Sequence, residues 1–295
     1  MVLKRRTGIR LGIVWGCWAI LALMLPSQAS AGEKNNFDYF GALQKRLMKD
    51  GFTPQEIQSL YGRPEVVFEA KGISFFFTYR EATLNYDQFA TPESIRSARI
   101  YMEEYQADLD RTENTYGVDK QIITAILLVE TRLGKSLGKR SAFSALSTLA
   151  ALMDAKVRSE FWNTALKSKK VSRKYFEKKA AARSRWAYKE LKALLKYAAE
   201  EELDPVAMRG SVAGAVGLAQ FMPSNIVKYA EDGNQDGTVD LLNPADAFAS
   251  IANYLKNHGW RPGLNRAKAG EVIYRYNHSD YYVNTVLRIA ELLKG

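Results

Sequence analysis

Along most of the chain, apolar positions recur at helical spacing and not at strand spacing. Residues 121–134 (QIITAILLVETRLG) carry Ile122, Ile123, Ala125, Ile126, Leu127, Leu128 and Val129, which predicts a buried helix. One acid, Glu130, stands at its end, Gly134 reads as its stop, and Asp119 is placed to cap its start. Residues 37–60 read as helical, with a break where Thr53 caps a second helix and Pro54 takes its first position. Thr91 and Pro92 open another helix, with Ala98, Tyr101, Met102 and Tyr105 on one side, running to about Asn114. Residues 144–149 begin a further buried helix. Residues 183–202 make an amphipathic one bearing Trp186, Leu191, Leu194, Leu195 and Ala198. Residues 66–79 (VVFEAKGISFFFTY) read differently, because aromatic and β-branched residues predict a short hairpin around Lys71-Gly72. The pattern gives a mostly α fold without internal repeats.

With 295 residues, 47% of them hydrophobic, the chain can bury one large core or two small ones. Lys4, Arg5, Arg6 and Arg10 precede an apolar stretch at 11–25, and Ala29-Ser30-Ala31 follows. That order reads as a secretory signal peptide over 1–31, cut after Ala31, and too short for a stable membrane span. Cys17 is the single cysteine, so a chain cleaved there has neither disulfide nor thiol chemistry. Val14-Trp15-Gly16-Cys17 faintly resembles a lipoprotein signal. Trp15 is bulky for that site and the apolar run continues beyond Cys17, so the expectation is a periplasmic protein without a lipid anchor.

The formal net charge of +10 is unevenly spread, since residues 155–197 hold 14 Lys or Arg against 3 Asp or Glu. This basic block is either a solvated helical face or a docking surface for acidic peptide stems or an anionic membrane. It lacks the clustered aromatics of a single-strand groove, and export argues further against nucleic acid.

Three stretches carry candidate chemistry. A Glu130 carboxylate beside Ile126, Val129 and Leu133 loses water, and the helix dipole's negative end also disfavours its anion. Both effects favour a neutral acid able to donate a proton, although the same residue could turn to solvent or pair with Arg132. Residues 210–224 (GSVAGAVGLAQFMPS) place Ser211 and Gln220 in a glycine-rich apolar loop. That loop suits either a sugar-binding wall or a close helix contact. In residues 232–246, Asp232, Asn234 and Asp236 occupy positions 1, 3 and 5 of an EF-hand loop, with Gly237 at 6 and Thr238 at 7. Asn243 stands where the bidentate Glu belongs, and Asp246 can supply the closing carboxylate. His258 and His278 lie in no zinc-type spacing. Tyr274, Tyr276, Asn277, Tyr281 and Tyr282 near the end suit sugar stacking or helix packing equally.

Taken in order, ETRLG at 130–134, GSVAGAVGLAQFMPS, DGNQDGTVDLLNPADA, ANYLKNHGW at 252–260 and YNHSDYY at 276–282 resemble the lytic murein transglycosylases of the membrane-bound B type, soluble form included. The resemblance runs from about Tyr39 to the C-terminus. It implies a lysozyme-like α+β core over 117–295, with a basic helical insert at 155–190 and a helical N-terminal region at 32–116 wrapped around it. It makes Glu130 the single catalytic acid and base. Ser211 and Gln220 then line the sugar subsites, and Tyr254, Tyr276, Asn277, Tyr282 and, less closely matched, Tyr86 shape the cleft. Asp232, Asn234, Asp236, Thr238 and Asp246 match an EF-hand-like Ca²⁺ loop.

The implied activity is cleavage of the MurNAc–GlcNAc β-1,4 bond of peptidoglycan with 1,6-anhydro-MurNAc formation, by a monomer whose partner is the glycan strand. A goose-type lysozyme-like hydrolase and a non-catalytic, calcium-stabilised peptidoglycan-binding protein are the rival expectations. Three departures stand out. Leu133 replaces a frequent Trp, Leu218-Ala219 replaces Tyr-Gly, and the short link from Trp260 to Tyr274 leaves no room for a small β-domain.

Overall fold

The computed structural model describes residues 37–78 and 85–295. The expected signal peptide and Cys17 lie outside them. No described helix is long and apolar enough to cross a membrane.

The first helices arise from their caps. After α1 (Gly41–Lys49), Thr53 accepts the Glu56 N–H while Glu56 reaches back to Thr53, and Pro54 starts α2 (Pro54–Tyr61). Residues 66–79 correct the hairpin expectation, because α3 (Ala70–Thr78) is a helix. Ile73, Phe76 and Phe77 fall on its buried side, where Phe77 meets Phe161 and Phe176 edge-on. Tertiary burial outweighs the strand preference of these side chains. A 3₁₀ turn (Tyr86–Phe89) precedes α4 (Pro92–Glu104), which Thr91 caps as expected. The helix predicted to continue breaks at Tyr105 (φ −108°, ψ 27°), and α5 (Gln106–Tyr116) follows it directly.

Helix α6 (Lys120–Thr131) is the axis of the core, and all ten residues from Ile122 to Thr131 are buried. Helix α13 (Asp280–Lys294) packs along it, with α4, α5 and α11 (Pro244–Asn257) on other sides. Asp119 occupies the N-cap position, but its side chain makes no capping bond.

A two-stranded antiparallel sheet pairs β1 (Arg140–Ser141) with β2 (Arg209–Gly210), Arg140 opposite Gly210. Between these strands run α7 (Ala142–Ala151), α8 (Ala155–Phe161), a π-helical turn (Trp162–Leu166) and the long α9 (Arg173–Glu200). The stretch between the strands is therefore largely helical. Ser172 caps α9, which begins at Arg173, ten residues before the predicted start. The last elements are α10 (Pro223–Tyr229), α11, α12 (Arg266–Tyr276) and α13. One hydrophobic core runs unbroken from Leu43 in α1 to Leu293 in α13.

Candidate active site

Glu130 closes α6. It is 6% exposed, and the Tyr282 hydroxyl is near its carboxyl group without making a hydrogen bond of ordinary geometry to either oxygen. Burial holds its pKa well above the ordinary 4.5, and the nearby Tyr282 hydroxyl pulls more weakly the other way. The helix can carry this cost. Six large aliphatics from Ile122 to Val129 are buried in it, each contributing about 1.5–3 kcal/mol. One unpartnered neutral polar group costs about 1–3 kcal/mol.

The residues just after Glu130 fix where it points. Arg132 (φ 51°) and Leu133 (φ 59°) are both left-handed, so the helix ends at Thr131, three residues before Gly134. Thr131 Oγ1 donates to the Leu218 carbonyl at 3.1 Å and accepts the Gly134 N–H at 3.1 Å, tying the helix end to the glycine-rich loop. Arg132 does not pair with Glu130. Its guanidinium donates to Gln88 Oε1 and lies over the Phe89 ring.

The glycine-rich loop forms the facing wall. Val216 and Phe221 exchange two backbone bonds of 2.9 and 3.1 Å, forcing residues 217–220 into a tight turn. Gly217 takes φ +75° there, and a side chain on it would strike Leu241 at 2.4 Å. Gln220 (φ 48°) donates through Nε2 to the Gly217 carbonyl at 2.9 Å. Tyr276 Oη donates to the Ala219 carbonyl at 2.6 Å, and Tyr254 Oη to the Arg275 carbonyl at 2.7 Å. The Tyr254 ring meets Phe221 and Tyr276, at 5.7 and 5.1 Å between centroids.

These elements surround a small, partly open pocket lined by Glu130, Gln220, Phe221, Met222, Asn225, Tyr254 and Tyr276. Glu130 is the one acid among the described lining residues. Phe221 and Met222 escaped sequence reasoning as site residues because apolar side chains in an apolar stretch read as core. Asn225 stands one position beyond the stretch that drew notice.

The other expected residues divide. Tyr282 is fully buried, and burial together with the Glu130 charge holds its pKa well above 10. Tyr86 lies close enough to contribute to that shift, and its ring stacks on exposed Tyr281. Asn277, at the end of α12, is 3% exposed and its Oδ1 is without a partner. Ser211 is not in the pocket lining. Its Oγ accepts the Ala213 and Ala215 N–H groups at 3.2 and 3.1 Å, which shapes the loop from within.

The acidic loop has the turn its spacing requires. Gly237 takes φ +92°, Asp232 accepts the Asp236 and Gly237 N–H groups, and Asp236 accepts from Thr238. Asp246, fully buried in the first turn of α11, accepts N–H groups from Gly233 (2.9 Å), Asn234 (3.3 Å) and Asp240 (2.8 Å). A carboxylate has about four acceptor positions, so Asp246 can offer one more at most. No three acidic, His or Cys side chains converge as a metal cluster among the described residues. The loop is thus closed by Asp246.

The sequence pattern of the transglycosylase SLT domain matches residues 36–269. The chain is 31% identical over 238 residues to membrane-bound lytic murein transglycosylase B of Escherichia coli (strain K12), covering 75% of this chain and 57% of that protein. It therefore spans somewhat over half the length of that relative. The fold is similar to the crystal structure of soluble lytic transglycosylase SltB1 from Pseudomonas aeruginosa, with TM-score 0.70 and 24% identity, covering 85% and 97% of the two chains. It is also similar to the E. coli lytic transglycosylase Slt35 in complex with calcium, with TM-score 0.66 and 23% identity, covering 89% and 95%.

Proposed function

Because the chain belongs to the transglycosylase SLT domain family, we propose that it is a peptidoglycan lytic transglycosylase that cleaves the MurNAc–GlcNAc β-1,4 bond and leaves 1,6-anhydro-MurNAc. The observation that carries this reading is Glu130, a buried carboxyl that opens onto a pocket otherwise lined by Met222 and by aromatic and amide side chains.

The mechanism derives from that environment. Neutral Glu130 donates its proton to the glycosidic oxygen, and the C1–O bond breaks. The substrate's own N-acetyl group stabilises positive charge at C1, since no second carboxylate lines the described pocket. Glu130, now an anion, takes the proton of the C6 hydroxyl, whose oxygen bonds to C1 and closes the anhydro ring. The acid is thereby restored. Holding the sugar between the Gln220 turn and the Tyr254–Tyr276 pair makes the attack intramolecular, so water is not the acceptor. Tyr282, Asn277 and Tyr86 shape the same cleft. Ser211 acts through the loop it shapes.

Loss of the acid tests the assignment. Glu130→Gln should slow solubilisation of sacculi by about 10²–10⁴-fold, and turnover that survives the change would remove Glu130 from the chemistry.

Residues 232–246 fit a structural Ca²⁺ in the chemistry of their donors. Asp232, Asn234 and Asp236 with the Thr238 carbonyl would hold it, and Asp246 would offer its one remaining acceptor position. Slt35 of similar fold was solved with calcium. The ion's work would be to stiffen the loop and takes no part in bond cleavage. Export through the 1–31 leader, action in the periplasm as a monomer, and contact of the basic 155–190 face with an anionic surface complete the proposal.

A further inference from the structure

Behind the pocket wall lies a second buried acid that the chemistry above does not use. Glu190, on α9, is 5% exposed although that helix is otherwise strongly basic. Its Oε2 accepts the Ser224 N–H at 2.9 Å, and its Oε1 accepts the Ser224 hydroxyl at 2.9 Å. Both donors that Ser224 offers therefore go to one carboxyl group, 34 residues away in sequence. Two donors on one buried carboxyl group make a paired contact whose loss leaves buried polar atoms unsatisfied.

Ser224 sits inside the wall. Met222 and Asn225, on either side of it, line the pocket with Glu130, while Ser224 turns away from the pocket toward α9. Met222, at the N-cap position of α10, makes no side-chain cap, so the fastening of this turn comes from Glu190. Phe221 and Gln220 precede it directly, and they are held on their other side by Val216 and Gly217.

We propose that Glu190 is a positioning residue for the saccharide-binding wall: through Ser224 it holds Met222 and Asn225 against the sugar bound beside Glu130. The inference rests on the transglycosylase reading. It predicts an effect on binding and little on bond cleavage, because Glu190 touches no reacting atom.

The test separates these. In a Glu130→Gln background, binding of a GlcNAc trimer is measured by calorimetric titration, and in the wild-type background initial rates on sacculi give kcat and KM. Glu190→Ala should weaken trimer binding and raise KM by about tenfold, the loss expected when a buried pair of hydrogen bonds is removed. The kcat should stay within about threefold under the same argument. Glu190→Gln, which keeps one acceptor, should recover part of the loss. Ser224→Ala should weaken binding alone and add nothing once Glu190 is alanine.

Leu194→Ala, a cavity variant on the buried side of the same helix, controls for stability and should bind normally. Unchanged binding in Glu190→Ala, or equal weakening in Leu194→Ala, overturns the inference. So does a Ser224→Ala effect independent of Glu190. If Glu190→Ala does not fold, Glu190→Gln and Ser224→Ala carry the same test. Failure of the Glu130→Gln chain itself to bind the trimer would instead overturn the functional reading.

Discussion

Replacing Glu130 with glutamine should stabilise the fold relative to the parent by an amount that grows with pH until the folded pKa of Glu130 is passed. Glutamine has the same length and no charge, so the comparison isolates the ionisation of one buried group. Glu130 is 6% exposed, and burial raises its pKa above the ordinary 4.5. Between the unfolded and folded pKa values the folded chain therefore holds a proton that the unfolded chain has released. Stability falls with rising pH wherever the folded state binds more protons. The carboxyl's contribution is complete below 4.5 and is lost progressively as pH climbs to the folded pKa. The slope is at most about 1.4 kcal/mol per pH unit. At about 2–4 °C per kcal/mol, that separates the two melting temperatures by about 3–6 °C for each unit at most.

Thermal denaturation of both proteins across about pH 4 to 8 measures the difference, and other buried acids such as Glu190 cancel because both chains carry them. The unpaired amide that glutamine brings shifts the baseline equally at every pH. A difference that stays flat over this range refutes the buried neutral acid, and one that narrows with pH reverses its sign.

The same geometry yields three further outcomes. Tyr282→Phe removes the hydroxyl that lowers the Glu130 pKa, so the alkaline limb of the kcat/KM profile should move to higher pH, and a shift to lower pH contradicts the contact. Asp246→Ala strands three backbone N–H groups and should cost about 2–4 kcal/mol in denaturant unfolding. EGTA should lower the parent's melting temperature but leave this variant's unchanged, and an EGTA effect in neither sinks the calcium assignment. Changing exposed Lys167, Lys169, Lys170, Lys174, Lys178 and Lys179 to glutamine should weaken sacculus binding at low salt and not at high salt, and unchanged low-salt binding leaves the basic block a solvated face.

How much of this was legible before the structure depends on whether a signal is local. The all-round apolar run of α6 and the Thr-Pro starts of α2 and α4 state their structure within a few residues. Helix α3 does not, because its phenylalanines are strand-formers until Phe161 and Phe176 come to cover them. The start of α9 was hidden for the opposite reason. Its first turns are solvated and basic, so hydrophobic spacing falls silent before Arg183 although Ser172 supplies a cap.

The site shows the same division. The motif containing Glu130 was readable, but its buried surroundings depend on distant Leu218, Tyr276 and Tyr282. Arg132, beside Glu130 in sequence, goes to Gln88, and Ser211, polar and conspicuous, serves its own loop. Asn225 and Glu190 gave no signal, since one needs the wall and the other needs Ser224 to acquire meaning.

The central claim is that Glu130 acts as acid and then as base on the substrate's own C6 hydroxyl. Mass spectrometry of the chain ends released from sacculi tests it most directly. The account predicts ends lighter than reducing MurNAc by one water, formed by the parent and absent with Glu130→Gln. Reducing ends carrying that water would contradict it, making the protein a hydrolase.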